Sequence, residues 1–171
     1  MLNYDVKNII SDTAVNLEVE RKTKISSEII IGALGAGNYA GRVLLPIFQK
    51  YKSNLHTISS SQGASSAHYG RKLGFLKNTT DSNEIIKDVE INSIIIATQH
   101  DSHAKFVSEG LLNGKNIFCE KPLAITTEQL NLVKDAYKKS SQLKDAPILM
   151  IGFNRRFSPF SIIAKKALAK N

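Results

Sequence analysis

A doubly wound, parallel α/β sheet is the fold class this sequence predicts, and three observations predict it. From Ser27 onward short apolar runs alternate with helical patterns, the mark of repeated strand–helix–strand units. Runs such as Ile94-Ile95-Ile96 are apolar at every position, as strands covered by helices on both faces require. A glycine-rich turn, Gly35-Ala36-Gly37-Asn38-Tyr39-Ala40, follows another such run, Ile29-Ile30-Ile31. The 171 residues fit one domain with a proper core, and 42% hydrophobic with 22% charged residues is ordinary for a globular chain.

Composition also sets aside several function classes. No apolar stretch approaches the roughly 20 residues that cross a bilayer, and Met1-Leu2-Asn3-Tyr4-Asp5 lacks the basic start of a secretory leader. A cytoplasmic protein with no membrane partner is therefore expected. The formal charge of +8 invites a nucleic-acid reading. Yet the lysines are scattered, in pairs such as Lys138-Lys139 and Lys165-Lys166, and no aromatic residues interleave with them, so no nucleic-acid partner is expected. Cys119 is the one cysteine, which excludes an internal disulfide, and its apolar neighbours Ile117 and Phe118 suit a packed strand residue.

Taken in order, residues 1–27 read as an extension or linker, although Val15, Leu17 and Val19 alternate with polar residues as a short half-buried strand would. Core strands are expected at 28–34, 55–60, 93–98, 116–119 and 147–152, with a short extended piece at 78–80. Asp81 with Glu84, and Thr126 with Gln129, have capping-box spacing; Ile125 and Leu130 are placed as a hydrophobic staple on the second. Ser158-Pro159 reads as an N-cap followed by proline at the first helical position, opening a last helix through Phe160, Ile163 and Leu168.

The spacing Gly35-x-Gly37-x-x-Ala40, between a strand and a helix, matches the dinucleotide fingerprint. Gly35 permits the tight turn, Gly37 lets backbone approach a pyrophosphate, and Ala40 keeps the helix near the sheet. A helix starting near Asn38 presents unpaired amides and its positive dipole end to the phosphates. A bare structural turn is the competing reading. The next strand normally ends in an acid that accepts from the adenosine ribose, but here it ends Ser59-Ser60-Ser61. Serines tolerate a 2′-phosphate; no arginine follows at once to clamp one, and NAD or NADP both stay open.

Glu120-Lys121-Pro122 lies past a strand's carboxyl end, where open α/β sheets bind ligands. A lysine there can hydrogen-bond a substrate hydroxyl and help move its proton. By composition alone Glu-Lys is a common surface pair. The loop Thr98-Gln99-His100-Asp101-Ser102-His103 follows another strand; two histidines and an aspartate suggest a metal, but no third ligand at a supporting spacing is evident, and none is expected. His56 and His68 read as ordinary strand and helix residues.

Together these residues resemble the amino-terminal Rossmann domain of the Gfo/Idh/MocA oxidoreductases. The carriers run from Ile31-Gly32-Ala33-Leu34-Gly35-Ala36-Gly37-Asn38, through Ile96-Ala97-Thr98 with His103, to Gly114-Lys115-Asn116-Ile117-Phe118-Cys119-Glu120-Lys121-Pro122-Leu123. Gly152-Phe153-Asn154-Arg155-Arg156-Phe157-Ser158-Pro159 extends them, and the wording is most similar to the carboxy-terminal half of bi-domain oxidoreductases. The resemblance implies that Lys121 is catalytic. It implies a cofactor-binding set of Gly35, Ala36, Gly37, Asn38, Tyr39, Ser60, Thr98, Gln99, His103, Glu120 and Arg156. Gln99, His100 and Ser60 depart from the usual residues.

The resemblance further implies a division into an extension (1–27), a cofactor domain (28–157) and the start of a helix (158–171) leading toward an α+β substrate domain that the sequence does not contain. The chain is thus expected to be truncated relative to the family. The expected function is hydride transfer between NAD or NADP and a sugar- or cyclitol-like alcohol, with an oligomer compatible. The alternative is a non-catalytic dinucleotide-binding module needing a partner.

Overall fold

The computed structural model describes residues 13–17 and 29–169. Seven strands form one sheet in the order β1-β4-β3-β2-β5-β6-β7. These are β1 (Ala14–Asn16), β2 (Ile30–Leu34), β3 (Asn54–Ser59), β4 (Lys77–Thr79), β5 (Ser93–Ile96), β6 (Asn116–Cys119) and β7 (Leu149–Ile151). Every neighbouring pair is parallel except β1 with β4. The helices are α1 (Leu45–Lys50), α2 (Ala64–Leu73), α3 (Asn83–Ile86), α4 (His100–Leu112), α5 (Thr127–Ser140) and α6 (Pro159–Leu168). The doubly wound parallel fold expected from the sequence is the fold observed.

Alternation along the strands supplies a core on each face. On one face Ile31, Ala33, Ile58 and Ile95 pack with Leu45, Tyr69 and Phe75; on the other Ile94, Ile96, Ile117 and Cys119 pack with Ile85, Val107 and Val133. Apolar strands buried on both sides are what parallel pairing through helical crossovers demands. From β2 the chain crosses to β3 on one side, and β5 then pairs with β2 on the other. This reversal opens a crevice at the carboxyl ends of the strands.

Several boundaries differ from expectation for local reasons. Ala97 and Thr98 leave β5, although Ala97 N–H still donates to the Leu34 carbonyl at 2.8 Å. Glu28 and Val19 lie outside the described residues. Leu17 is buried while Val15 is half exposed, and Leu17 N–H donates to the Leu76 carbonyl at 2.6 Å. Asp81 and Glu84 do not make a capping box. The N-cap of α3 is Ser82, Asp81 Oδ1 accepts from Asn83 N–H at 2.9 Å, and the Glu84 carboxylate accepts from the Thr13 hydroxyl instead. A long-range partner has outcompeted the local one.

The other caps follow the sequence more closely. The Thr126 hydroxyl accepts from Gln129 N–H at 3.2 Å, and Gln129 Oε1 accepts from Ile125 N–H at 2.9 Å, one residue before the usual position. Ile125 and Leu130, the expected staple, are both exposed. Ser158 caps α6 by accepting from Ser161 N–H, with Pro159 in the first turn. Among the described residues no helix is long and apolar enough to cross a membrane.

Candidate functional site

The crevice is built by the glycine turn. Gly35 has φ +99°, and a side chain there would run into the Ala97 carbonyl, so both conformation and space demand glycine. Its N–H donates to the Ser59 carbonyl at 3.0 Å, which ties the turn to the end of β3. Gly37 differs: nothing lies within 4 Å of where its Cβ would stand, and that free space is the cleft itself. The helix begins at Asn38, and its Gly41 N–H donates to the Gly37 carbonyl at 2.8 Å. A wide turn at Ala40–Leu44 leads into α1. Amides before that first helical bond lie at the positive end of the helix, where an anion is favoured.

The cleft has a volume of about 620 Å³, within the range of small-molecule sites. Gly35, Ala36 and Gly37 form its floor, Ser60 one side, and Thr98 and Gln99 the other. These are six of the expected cofactor residues, brought together as the sequence suggested. Ser59 and Ser61, from the strand end noted in the sequence, and Ala97 also line it; Ser65, Thr80, Ser82, Asp101, Ser102 and Phe106 join the wall and were not foreseen. Ser102 had a readable signal, its spacing from Thr98: the two hydroxyls are 2.7 Å apart, and Ser102 Oγ also donates to the Gln99 carbonyl at 2.7 Å.

His103 does not face the cleft. It is fully buried, with Nδ1 2.7 Å from the Pro122 carbonyl oxygen and Nε2 3.1 Å from the Thr98 carbonyl oxygen. One imidazole thus bridges the loop after β5 and the loop after β6, and neither nitrogen is left for a metal. Asn38 and Tyr39 are exposed on the turn's outer side.

Tyr39 points toward a second group. Burial raises its pKa, and Glu120's negative charge raises it further. Glu120 is itself buried; its carboxylate would sit 3.1 Å from a Cβ on Gly152, a tight approach that a side chain there would relieve only by shifting the carboxylate. Its Oε2 accepts from Lys121 N–H at 3.3 Å. The Lys121 side chain is exposed beside this group, and the Lys121–Pro122 peptide is cis.

Arg156 is not brought to the cleft. Its guanidinium donates to the Ile151 carbonyl at 3.3 Å and lies over the Phe157 ring at 5.1 Å. Cys119 is fully buried, and burial followed by the nearby Glu120 charge pushes its thiol up to about 12, the state of a packing residue.

The opposite, amino-terminal end of the sheet holds a polar cluster of another kind. His56 is buried in β3, with Nδ1 2.9 Å from Thr57 Oγ1 and Nε2 3.1 Å from Glu90 Oε2. Asp88 Oδ2 stands 3.8 Å from Nδ1. His56, Asp88 and Glu90 offer ligand atoms within 4.8 Å of one another. The ammonium of buried Lys115 donates to the Asp88 and Ile91 carbonyls at 2.5 and 2.6 Å, and burial lowers its pKa. Lys115 thus ties the main chain of the Asp88–Ile91 loop, while His56 meets the side chains of Asp88 and Glu90.

A glycine turn at the topological switch, free space above Gly37 and helix amides facing it define an NAD(P)-binding Rossmann-fold domain. The profile of the oxidoreductase family with NAD-binding Rossmann fold, Gfo/Idh/MocA, matches residues 29–144, and the chain belongs to that family. It is 37% identical over 100 residues to the levoglucosan dehydrogenase of Pseudarthrobacter phenanthrenivorans, covering 58% of this chain and 24% of that protein. It is 30% identical over 137 residues to the inositol 2-dehydrogenase of Rhizobium meliloti, covering 80% of this chain and 39% of the relative. The fold matches the scyllo-inositol dehydrogenase of Lactobacillus casei, crystallised with NAD(H) and scyllo-inositol, with a TM-score of 0.73 at 22% identity, over 84% of this chain and 41% of that one. The chain therefore spans well under half the length of these relatives.

Proposed function

We propose that this chain is the cofactor half of an oxidoreductase that interconverts a sugar- or cyclitol-like alcohol and its ketone. The carrying observation is that one sheet edge presents both a dinucleotide cleft and, at the end of β6, the Glu120-Lys121 pair. When bound, the nicotinamide supplies hydride exchange with the carbinol carbon. The chain's residues do the rest. Amides of the Gly35–Gly37 turn hold the pyrophosphate. Lys121 Nζ takes the hydroxyl proton on oxidation and returns it on reduction, and Glu120 orients the Lys121 backbone through its 3.3 Å hydrogen bond. Residues 28–157 are the cofactor domain in this reading and 158–171 the start of a helix leading to a substrate domain; the cytoplasm is its compartment.

Dehydrogenase names among the relatives support the substrate class. The test is cofactor titration followed by a polyol and sugar panel, with and without Lys121→Ala. Saturable dinucleotide binding in both forms is the expected outcome, with turnover by the enzyme that includes the substrate-bearing part lost only in the variant. A second reading, a binding module active only with a partner, is favoured by the exposure of Lys121 and of apolar residues on α6, such as Phe160. It predicts the same binding and no turnover by the chain alone.

A further inference from the structure

The cleft beside the end of β3 is walled by hydroxyls. Ser60, Ser61, Ser65, Thr80 and Ser82 face it, and none of them carries charge. The one acid of the lining, Asp101, stands in the first turn of α4, which follows β5 on the other side of β2. In doubly wound folds the end of this strand meets the adenosine ribose. A carboxylate there accepts from the 2′-hydroxyl and repels a 2′-phosphate. No lining residue at this end carries such a charge.

The hydroxyls are not equivalent. Ser60 Oγ accepts from Ser66 N–H at 3.2 Å and donates to Ser66 Oγ at 3.0 Å, so its capacity is largely spent on the fold. Ser61 is exposed and Ser65 half-buried, one on each side of the start of α2. That ten-residue helix opens at Gly63, φ +74°, which has no side chain to cap it, and of its first amides Ser66 N–H is taken by Ser60 Oγ and Ala64 N–H by the Gln62 carbonyl. The positive end of the helix between two hydroxyls favours negative charge. The chain's net charge of +8 adds a general attraction for anions.

We infer that the adenosine end of this cleft prefers a 2′-phosphorylated dinucleotide, with Ser61 and Ser65 flanking the added phosphate. The inference rests on the dinucleotide reading above and names which dinucleotide that site takes. The specificity-determining feature is a pair of neutral donors where an NAD site keeps an acid.

Calorimetric titration of the chain with NADP and NAD, and with 2′,5′-ADP and 5′-AMP as their adenosine halves, tests it. NADP binds about tenfold or more tightly than NAD, and 2′,5′-ADP exceeds 5′-AMP by a similar factor. Ser61→Asp weakens both phosphorylated ligands about tenfold relative to their unphosphorylated counterparts, whereas Ser61→Lys strengthens them. Thermal melts check that both variants fold, as an exposed turn position allows. Equal or tighter binding of NAD, or a preference that Ser61→Asp does not alter, overturns the inference and leaves the dinucleotide site standing. No binding of any of the four ligands overturns the site and the inference together.

Discussion

The two ends of one sheet solve opposite problems. At the carboxyl end the chain exposes backbone amides, glycines and neutral hydroxyls around open space. At the amino end it fills the space with charge, as Lys115 caps two carbonyls and His56 meets Asp88 and Glu90. The difference teaches where to look for function in such a fold. Polar groups that face a void are for a ligand, and polar groups that face one another hold the sheet together. Substitutions at the first end are expected to change binding at constant stability, and those at the second to do the reverse.

The sharpest way to break this division is at Gly35, where both demands meet. Gly35→Val clashes with the Ala97 backbone at a φ that side chains rarely adopt, and is expected to cost about 3 kcal/mol or more in urea unfolding while abolishing dinucleotide binding. Gly37→Val sharpens it. With no neighbour within 4 Å of the new Cβ the melt stays unchanged, yet affinity falls at least about tenfold, because the side chain occupies the pyrophosphate's place. A variant that melted early would refute the assignment of that void to ligand.

At the other end Lys115→Met leaves the Asp88 and Ile91 carbonyls without their donor, an expected loss of about 1–3 kcal/mol with unaltered dinucleotide affinity. A change in affinity of equal size would erase the contrast. The smallest effect is read by pH. Cys119 is raised in the folded state to about 12 from an ordinary 9.0, so its contribution is intact below pH 9. It is lost as pH climbs toward about 12, by up to roughly 1.4 kcal/mol per unit. Urea midpoints at pH 8 and pH 10.5 should diverge more for the native chain than for Cys119→Ala, and thiol reagents should react only as the protein unfolds.

What the sequence revealed was what local spacing encodes. Gly35-x-Gly37-x-x-Ala40 between strand and helix located the cleft, and Thr126 with Gln129 and Ser158 with Pro159 located helix starts, because each acts within a few residues. What it hid were partners chosen across the chain. Glu84 turns to Thr13 rather than back to Asp81. His103 carried a signal of position but none of orientation, and its ring ended between two carbonyls instead of toward the nucleotide. His56 looked like any strand residue because Asp88 and Glu90 approach it only when β5 is laid beside β2.

That buried imidazole has a mechanical consequence. Thr98 lines the cleft and Pro122 follows Lys121, and a single rigid ring is wedged between their carbonyl oxygens. A shift of either loop must carry the ring, and through it the other loop. The spacing between the cleft wall and the Lys121 loop is thereby gauged by one buried side chain.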